Sequence, residues 1–140
     1  MKEETLNMLI KESLLARKQS YCPYSNFAVG AALLTKEGRL YTGANIENAS
    51  FTPTVCAERA AFFSAVHSGE RNFSAIAIVG GRCGEKIKEF CPPCGVCRQV
   101  MAEFCSADFE IILFNGTDKK VFTLGELLPE VFNKENIDNR

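Results

Sequence analysis

Residues 73–81, FSAIAIVGG, are apolar apart from Ser74 until a pair of glycines, and helix-like segments stand on both sides of them. A short apolar run of that kind reads as a strand buried within a sheet. Helices before and after it make a layered α/β domain around a mixed sheet the natural architecture. The rest of the chain fits that frame. Leu6, Leu9, Ile10 and Leu14 recur at helical spacing, which predicts an amphipathic helix over 3–19. Residues 21–26, YCPYSN, read as a loop. FAVGAALLT (27–35) and RLYTGAN (39–45) flank the turn Lys36-Glu37-Gly38 and predict a hairpin. After an irregular polar stretch over 45–54, AERAAFFSAVH predicts a helix that stops near Gly69. Residues 81–93 read as a loop, and GVCRQVMAEF as a second short helix. FEIILFN and KKVFT predict strands around a turn at Gly116-Thr117-Asp118. Thr123 and Glu126 fit a capping box for a last short helix through Leu128, and VFNKENIDNR is expected to be a frayed polar tail. The predicted order is α-β-β-α-β-α-β-β-α, within one domain spanning residues 1–140.

A chain of 140 residues can bury a proper core without covalent staples. Its formal net charge of -1 and lack of a long basic run argue against a nucleic-acid partner, which needs an electrostatic footprint for phosphates. No apolar run approaches a membrane span, so no membrane partner is expected. The N-terminal segment is charged and amphipathic and lacks the order of a signal peptide. A cytoplasmic location is therefore expected, where thiols stay reduced. The seven cysteines, at 22, 56, 83, 91, 94, 97 and 105, are an odd number. Four fall within or just beyond the segment CPPCGVC at 91–97, so spacing favours a site over a disulfide framework.

Two CxxC pairs overlap in CPPCGVC, and the residues admit several chemistries. An iron–sulfur run needs a fourth cysteine where this chain has Met101. A redox pair of Cys91 and Cys94 would leave Cys97 as a surplus thiol one turn on. A closed structural zinc site could take Cys56, Cys91, Cys94 and Cys97. A catalytic zinc site would take three ligands and keep one position open. Cys94 and Cys97 lie on one face of a predicted first turn, and Cys56 opens the other helix. Helix N-termini carry unpaired N–H groups and partial positive charge, which favour thiolate. Glu58, two residues past Cys56, stands where a general acid/base belongs. Three thiolates would make the site anionic and a poorer Lewis acid, which Arg59 or Arg98 could offset by hydrogen-bonding sulfur; the alternative for each is a solvated surface charge, the better expectation for Arg98.

Cys56-Ala57-Glu58-Arg59 and Pro93-Cys94-Gly95-Val96-Cys97-Arg98-Gln99 resemble the two signature segments of the zinc-dependent cytidine deaminases, in the small three-cysteine form. Tyr24-Ser25-Asn26-Phe27-Ala28-Val29-Gly30-Ala31-Ala32-Leu33 resembles that family's first-strand segment. Gly43-Ala44-Asn45-Ile46-Glu47-Asn48-Ala49 resembles its nucleoside-binding segment, and Glu126-Leu127-Leu128-Pro129 with Phe132 its C-terminal end. The resemblance implies a three-layer α/β/α fold with a mixed five-stranded sheet. It implies hydrolytic deamination of cytidine and 2'-deoxycytidine, in pyrimidine salvage, by a homotetramer with one zinc ion per subunit. Cys56, Cys94 and Cys97 would hold the zinc, leaving Cys91 as a loop thiol, and Glu58 would carry the protons. Asn45, Ile46 and Glu47 would bind the ribose, with Asn45 and Glu47 at its 3'-hydroxyl. Phe27 would stack on the base and the Ala57 backbone would contact it. Arg59 would support the thiolates, and Phe132 would reach a neighbouring subunit's site. The chain departs from the family at Phe51, often Tyr, and at Cys91-Pro92. Blasticidin-S deaminases share the three-cysteine site but lack segments like those around Asn45 and Tyr24.

Overall fold

A computed structural model describes residues 1–138. Its elements are α1 (Glu3–Arg17), β1 (Phe27–Thr35), β2 (Leu40–Ala44), α2 (Ala57–His67), β3 (Phe73–Arg82), α3 (Gly95–Phe104), β4 (Glu110–Phe114), β5 (Lys119–Thr123), α4 (Leu124–Leu127) and α5 (Lys134–Asp138). The strands form one sheet in the order β2-β1-β3-β4-β5. β1 runs antiparallel to both β2 and β3, β3 runs parallel to β4, and β4 pairs antiparallel with β5. The sheet is thus mixed, as expected.

β3 shows why the sheet carries helices on both faces. Successive side chains on a strand point to opposite sides. Ala75 and Ala77 face one side, where they pack with Ala32, Ile112 and the α1 residues Leu9 and Ile10. Ile76 and Ile78 face the other, among Leu33, Ile111, Phe62 of α2 and Met101 of α3. The small face lets α1 approach closely. A Cβ on Gly30 of β1 would come within 2.1 Å of the Ser13 carbonyl oxygen. On the other face, a Cβ on Gly43 of β2 would meet the Ala57 carbonyl oxygen at 2.4 Å and the Ala61 nitrogen at 2.6 Å. Gly43 therefore sets how near the first turn of α2 lies to the sheet, and that turn carries Cys56, Ala57 and Glu58.

The tail departs from expectation. Lys134–Asp138 is helical rather than frayed, while Asn139 and Arg140 lie outside the described residues. Asn133 starts the helix: its side chain accepts from the Glu135 N–H at 3.0 Å, and Asn136 reaches back to the Asn133 N–H at 3.0 Å. The cap signal was present in NKEN, but the polar composition masked it.

Gly43→Ala is expected to destabilise the fold by about 1–3 kcal/mol, because backbone rather than a flexible side chain must move. Gly95→Ala, at a helix start with nothing within 4 Å of the added carbon, is expected to be neutral or slightly stabilising. Chemical denaturation of the two variants checks the contrast.

Candidate metal centre and adjoining pocket

Two helix starts converge beside the sheet. Cys56 is the N-cap of α2 and Cys94 the N-cap of α3, both with extended backbone. The Cys94 sulfur accepts from the Cys97 N–H at 3.5 Å, so it serves one of the orphan donors of its own helix. The sulfurs of Cys56, Cys94 and Cys97 lie within 4.8 Å of one another. Cys56 and Cys94 are 3.8 Å apart, and Cys94 and Cys97 are 3.4 Å apart. Tetrahedral zinc with Zn–S bonds of about 2.3 Å holds two sulfurs about 3.8 Å apart, so this donor set fits zinc in chemistry and in spacing. Cys97 is buried, Cys56 half-buried and Cys94 exposed, which leaves the cluster open on one side.

Cys91 stays out of this cluster. Its sulfur packs over Gly80, where a Cβ would approach it to 2.6 Å and would meet Phe27 Cε1 at 3.1 Å. Burial, with Glu58 and Cys56 nearby, pushes the Cys91 thiol up to about 12, so it stays protonated. The symmetry of CPPCGVC is broken by the helix: only Cys94 and Cys97 share its first turn.

Arg59 answers the charge of the sulfurs. Its Nη2 donates to Cys56 Sγ at 3.4 Å and to the Thr54 carbonyl at 3.5 Å. Donation from the Cys97 thiol and then from Arg59 draws the Cys56 pKa down to about 5, against the opposing effect of burial. Arg59 Nε is buried with no partner among the described residues. Arg98 behaves differently from either expectation, since it neither touches sulfur nor floats in solvent. Its Nε donates to the Pro93 carbonyl at 2.8 Å and Nη1 to the Leu127 carbonyl at 2.7 Å, tying the segment before Cys94 to α4.

Glu58 lies in the first turn of α2 and is only 4% exposed. Burial raises its carboxyl to about 7, with the negative Cys56 sulfur adding to the rise. A carboxyl that titrates there can both take and give a proton at neutral pH.

The other predicted site residues lie at the start of β1, in the segment after β2 and around a nearby cavity lined by residues from the loops before β1 and after β2. Phe27 opens β1 and is 41% exposed. Asn45 is nearly buried, and its amide is mostly committed to backbone. Oδ1 accepts from the Val29 N–H at 2.9 Å and from the Ser20 hydroxyl, and Nδ2 donates to the Phe27 carbonyl at 2.8 Å. One Nδ2 hydrogen remains for a ligand. Ile46 is bridged through its backbone to Tyr21 and Val55, with its side chain exposed. Glu47 accepts from the N–H groups of Tyr24 and Ser25 at 2.9 and 3.1 Å and from the Ser25 hydroxyl. Those bonds, the hydroxyl first, hold its carboxyl below its ordinary pKa. Glu47 joins Tyr24, Ser25, Phe51 and Thr54 around a cavity of about 350 Å³. Phe51 is exposed, holds a positive φ of 55° and meets the Tyr24 ring edge-on at 6.1 Å. Ala57 is fully buried at the head of α2. Phe132 is exposed, and its carbonyl accepts from Gln99 Nε2 at 2.8 Å. Ser25 and Thr54 were not legible as pocket residues. Ser25 alone had a local signal, since its hydroxyl accepts from the N–H two residues on, at Phe27, at 3.0 Å.

The family "Cytidine and deoxycytidylate deaminase zinc-binding region" matches residues 3–113. The cytidine deaminase of Halalkalibacterium halodurans is 50% identical over 133 residues, covering 94% of this chain and 97% of that protein. The cytidine deaminase of Sporosarcina psychrophila is 48% identical over 130 residues, covering 92% of each. The 1.6 Å crystal structure of cytidine deaminase from Burkholderia pseudomallei superposes with a TM-score of 0.83 at 44% identity, covering 94% of this chain and all of that one.

Zinc analysis of purified variants separates the overlapping cysteine pairs. Cys94→Ser and Cys97→Ser are expected to lose bound zinc, whereas Cys91→Ser keeps it. A zinc-free Cys91→Ser protein would move the ligand set to the other pair.

Proposed function

This chain belongs to the cytidine and deoxycytidylate deaminase family, and from that premise we propose that it hydrolyses the C4 amino group of cytidine and 2'-deoxycytidine, yielding the uridines and ammonia. The observation that carries the reading is the convergence of three cysteine sulfurs at the heads of two helices, with Glu58 buried in the first turn after Cys56. Cys56, Cys94 and Cys97 would hold one zinc ion per subunit. When bound, zinc supplies Lewis-acid chemistry, lowering the pKa of a water in its open position so that it attacks at neutral pH.

The remaining work falls to the chain. Glu58 takes one proton from the attacking water and delivers it to N3 of the pyrimidine. The C4–O bond forms as N3 gains that proton. Glu58 then carries the second proton of the water to the C4 amine. The C4–N bond breaks, ammonia leaves, and N3 keeps its hydrogen in the uridine product. Arg59 spreads the negative charge of the sulfurs and so preserves the electrophilicity of the centre. Phe27 stacks on the base and the Ala57 backbone contacts it. Glu47 accepts from the ribose 3'-hydroxyl, with the remaining Nδ2 hydrogen of Asn45 beside it.

The same reading gives a single-domain enzyme acting in pyrimidine salvage in the cytoplasm, with a free nucleoside as its partner rather than nucleic acid or membrane. No helix among the described residues is long and apolar enough to cross a membrane. A homotetramer would cover the exposed Phe51, Phe63, Val96 and Phe132, and Phe132 would cross to a neighbouring site.

Ammonia release from cytidine, deoxycytidine, cytosine, CMP and blasticidin S tests the assignment. Turnover is expected with the first two. Glu58→Gln should retain zinc and lose about a hundredfold to ten-thousandfold in kcat. Activity on blasticidin S alone would reassign the substrate, and an active Glu58→Gln protein would remove Glu58 from its role.

A further inference from the structure

The carboxylate of Glu47 and the backbone of Phe27 are joined by a single hydroxyl. Ser25 Oγ donates to Glu47 Oε2 and accepts from the Phe27 N–H at 3.0 Å. A serine hydroxyl has one proton to give, so this geometry commits it to the carboxylate. The segment that presents Ser25 is itself fixed. Cys22 is buried, and its carbonyl accepts from the Asn26 N–H at 3.0 Å. Asn26 adopts a left-handed φ of 58°, and its carbonyl accepts from the Cys83 N–H at 2.9 Å. The Tyr21 carbonyl accepts from the Glu47 N–H at 2.9 Å, so the two segments are also joined through their backbones.

Counting acceptor positions sharpens the point. An ionised carboxylate offers about four lone-pair positions. On Glu47, the N–H groups of Tyr24 and Ser25 occupy two at Oε1, and the Ser25 hydroxyl occupies one at Oε2. One position remains, on Oε2, and the Ser25 hydroxyl decides which way it points. We propose that Ser25 is a positioning residue for the sugar: it aims the last acceptor position of Glu47 at one ribose hydroxyl and locks that aim to the start of the strand bearing Phe27. Ribose and base are thereby read at a fixed separation, which selects the intact nucleoside over the free base. The inference rests on the deaminase reading and on Glu47 meeting the 3'-hydroxyl.

Paired kinetics on cytidine and 3'-deoxycytidine test it. The wild type is expected to prefer cytidine by about tenfold or more in kcat/KM, as a hydrogen bond to a charged acceptor warrants. In Ser25→Ala that preference should fall about tenfold toward unity, through KM for cytidine rather than kcat, with 3'-deoxycytidine little affected. Ser25→Thr, which keeps the hydroxyl, should retain the preference. Ser25→Cys, close in size but a weak donor, should lose it, and serves if the alanine variant does not fold. A preference that survives in Ser25→Ala or Ser25→Cys overturns the role of Ser25 while leaving the ribose contact in place. Equal losses on both substrates also overturn it, since a merely structural role acts on both. A wild type that deaminates both nucleosides equally removes the ribose contact, and this proposal with it, while leaving the deaminase reading intact.

Discussion

Two helix N-termini meet, their N-cap sulfurs 3.8 Å apart, and something must answer their unpaired N–H groups and like-signed dipole ends. In this fold the answer is sulfur. At α3 the Cys94 sulfur accepts from the Cys97 N–H; Cys56 stands at the N-cap position of α2 without such a bond, and Cys97 completes the group from the first turn of α3. The arrangement needs Gly43, because α2 starts against the backbone of β2. It also needs Arg98, which ties the approach to Cys94 to α4. Arg59 favours the anionic form of Cys56, and the same turn of α2 buries Glu58. The candidate metal site and the buried carboxyl beside it are thus consequences of one packing decision.

The second half of the site obeys a different rule. Around the sulfurs, side chains face a common point. Around Asn45 and Glu47, polar side chains are held by main chain: Asn45 by Phe27 and Val29, Glu47 by Tyr24 and Ser25. That bracing is a form of preorganisation, since rotamers already fixed lose little further entropy on binding. It also explains how two sequence segments, around residues 25 and 46, behave as one surface.

Much of this was legible in the residues. The apolar run of β3, the hairpin before it and the spacing of the CAE and PCGVC segments carried the fold class and the candidate metal ligands. The ends of β1 and β5 match the predicted bounds, because Gly38 and Gly116 punctuate the turns beside them. Less legible were features that depend on partners distant in sequence. Strand order is one, since β1 lies between β2 and β3 and no local pattern dictates that. Arg98 is another: its partner Leu127 lies 29 residues away, so a surface charge was the natural expectation. Asn45 was read as a ligand for sugar, yet most of its amide braces β1, which only the register reveals. The short helix at Lys134–Asp138 went unread because its cap is local but its composition is that of a polar tail.

The central claim is that three sulfurs hold zinc and leave one position free for the attacking water beside Glu58. X-ray absorption at the zinc edge of the purified holoenzyme counts those neighbours directly. The account predicts three sulfurs and one light atom, oxygen or nitrogen, at the metal. Four sulfurs would contradict it, for the site would then be closed and structural, with Cys91 or another thiol in the place meant for water.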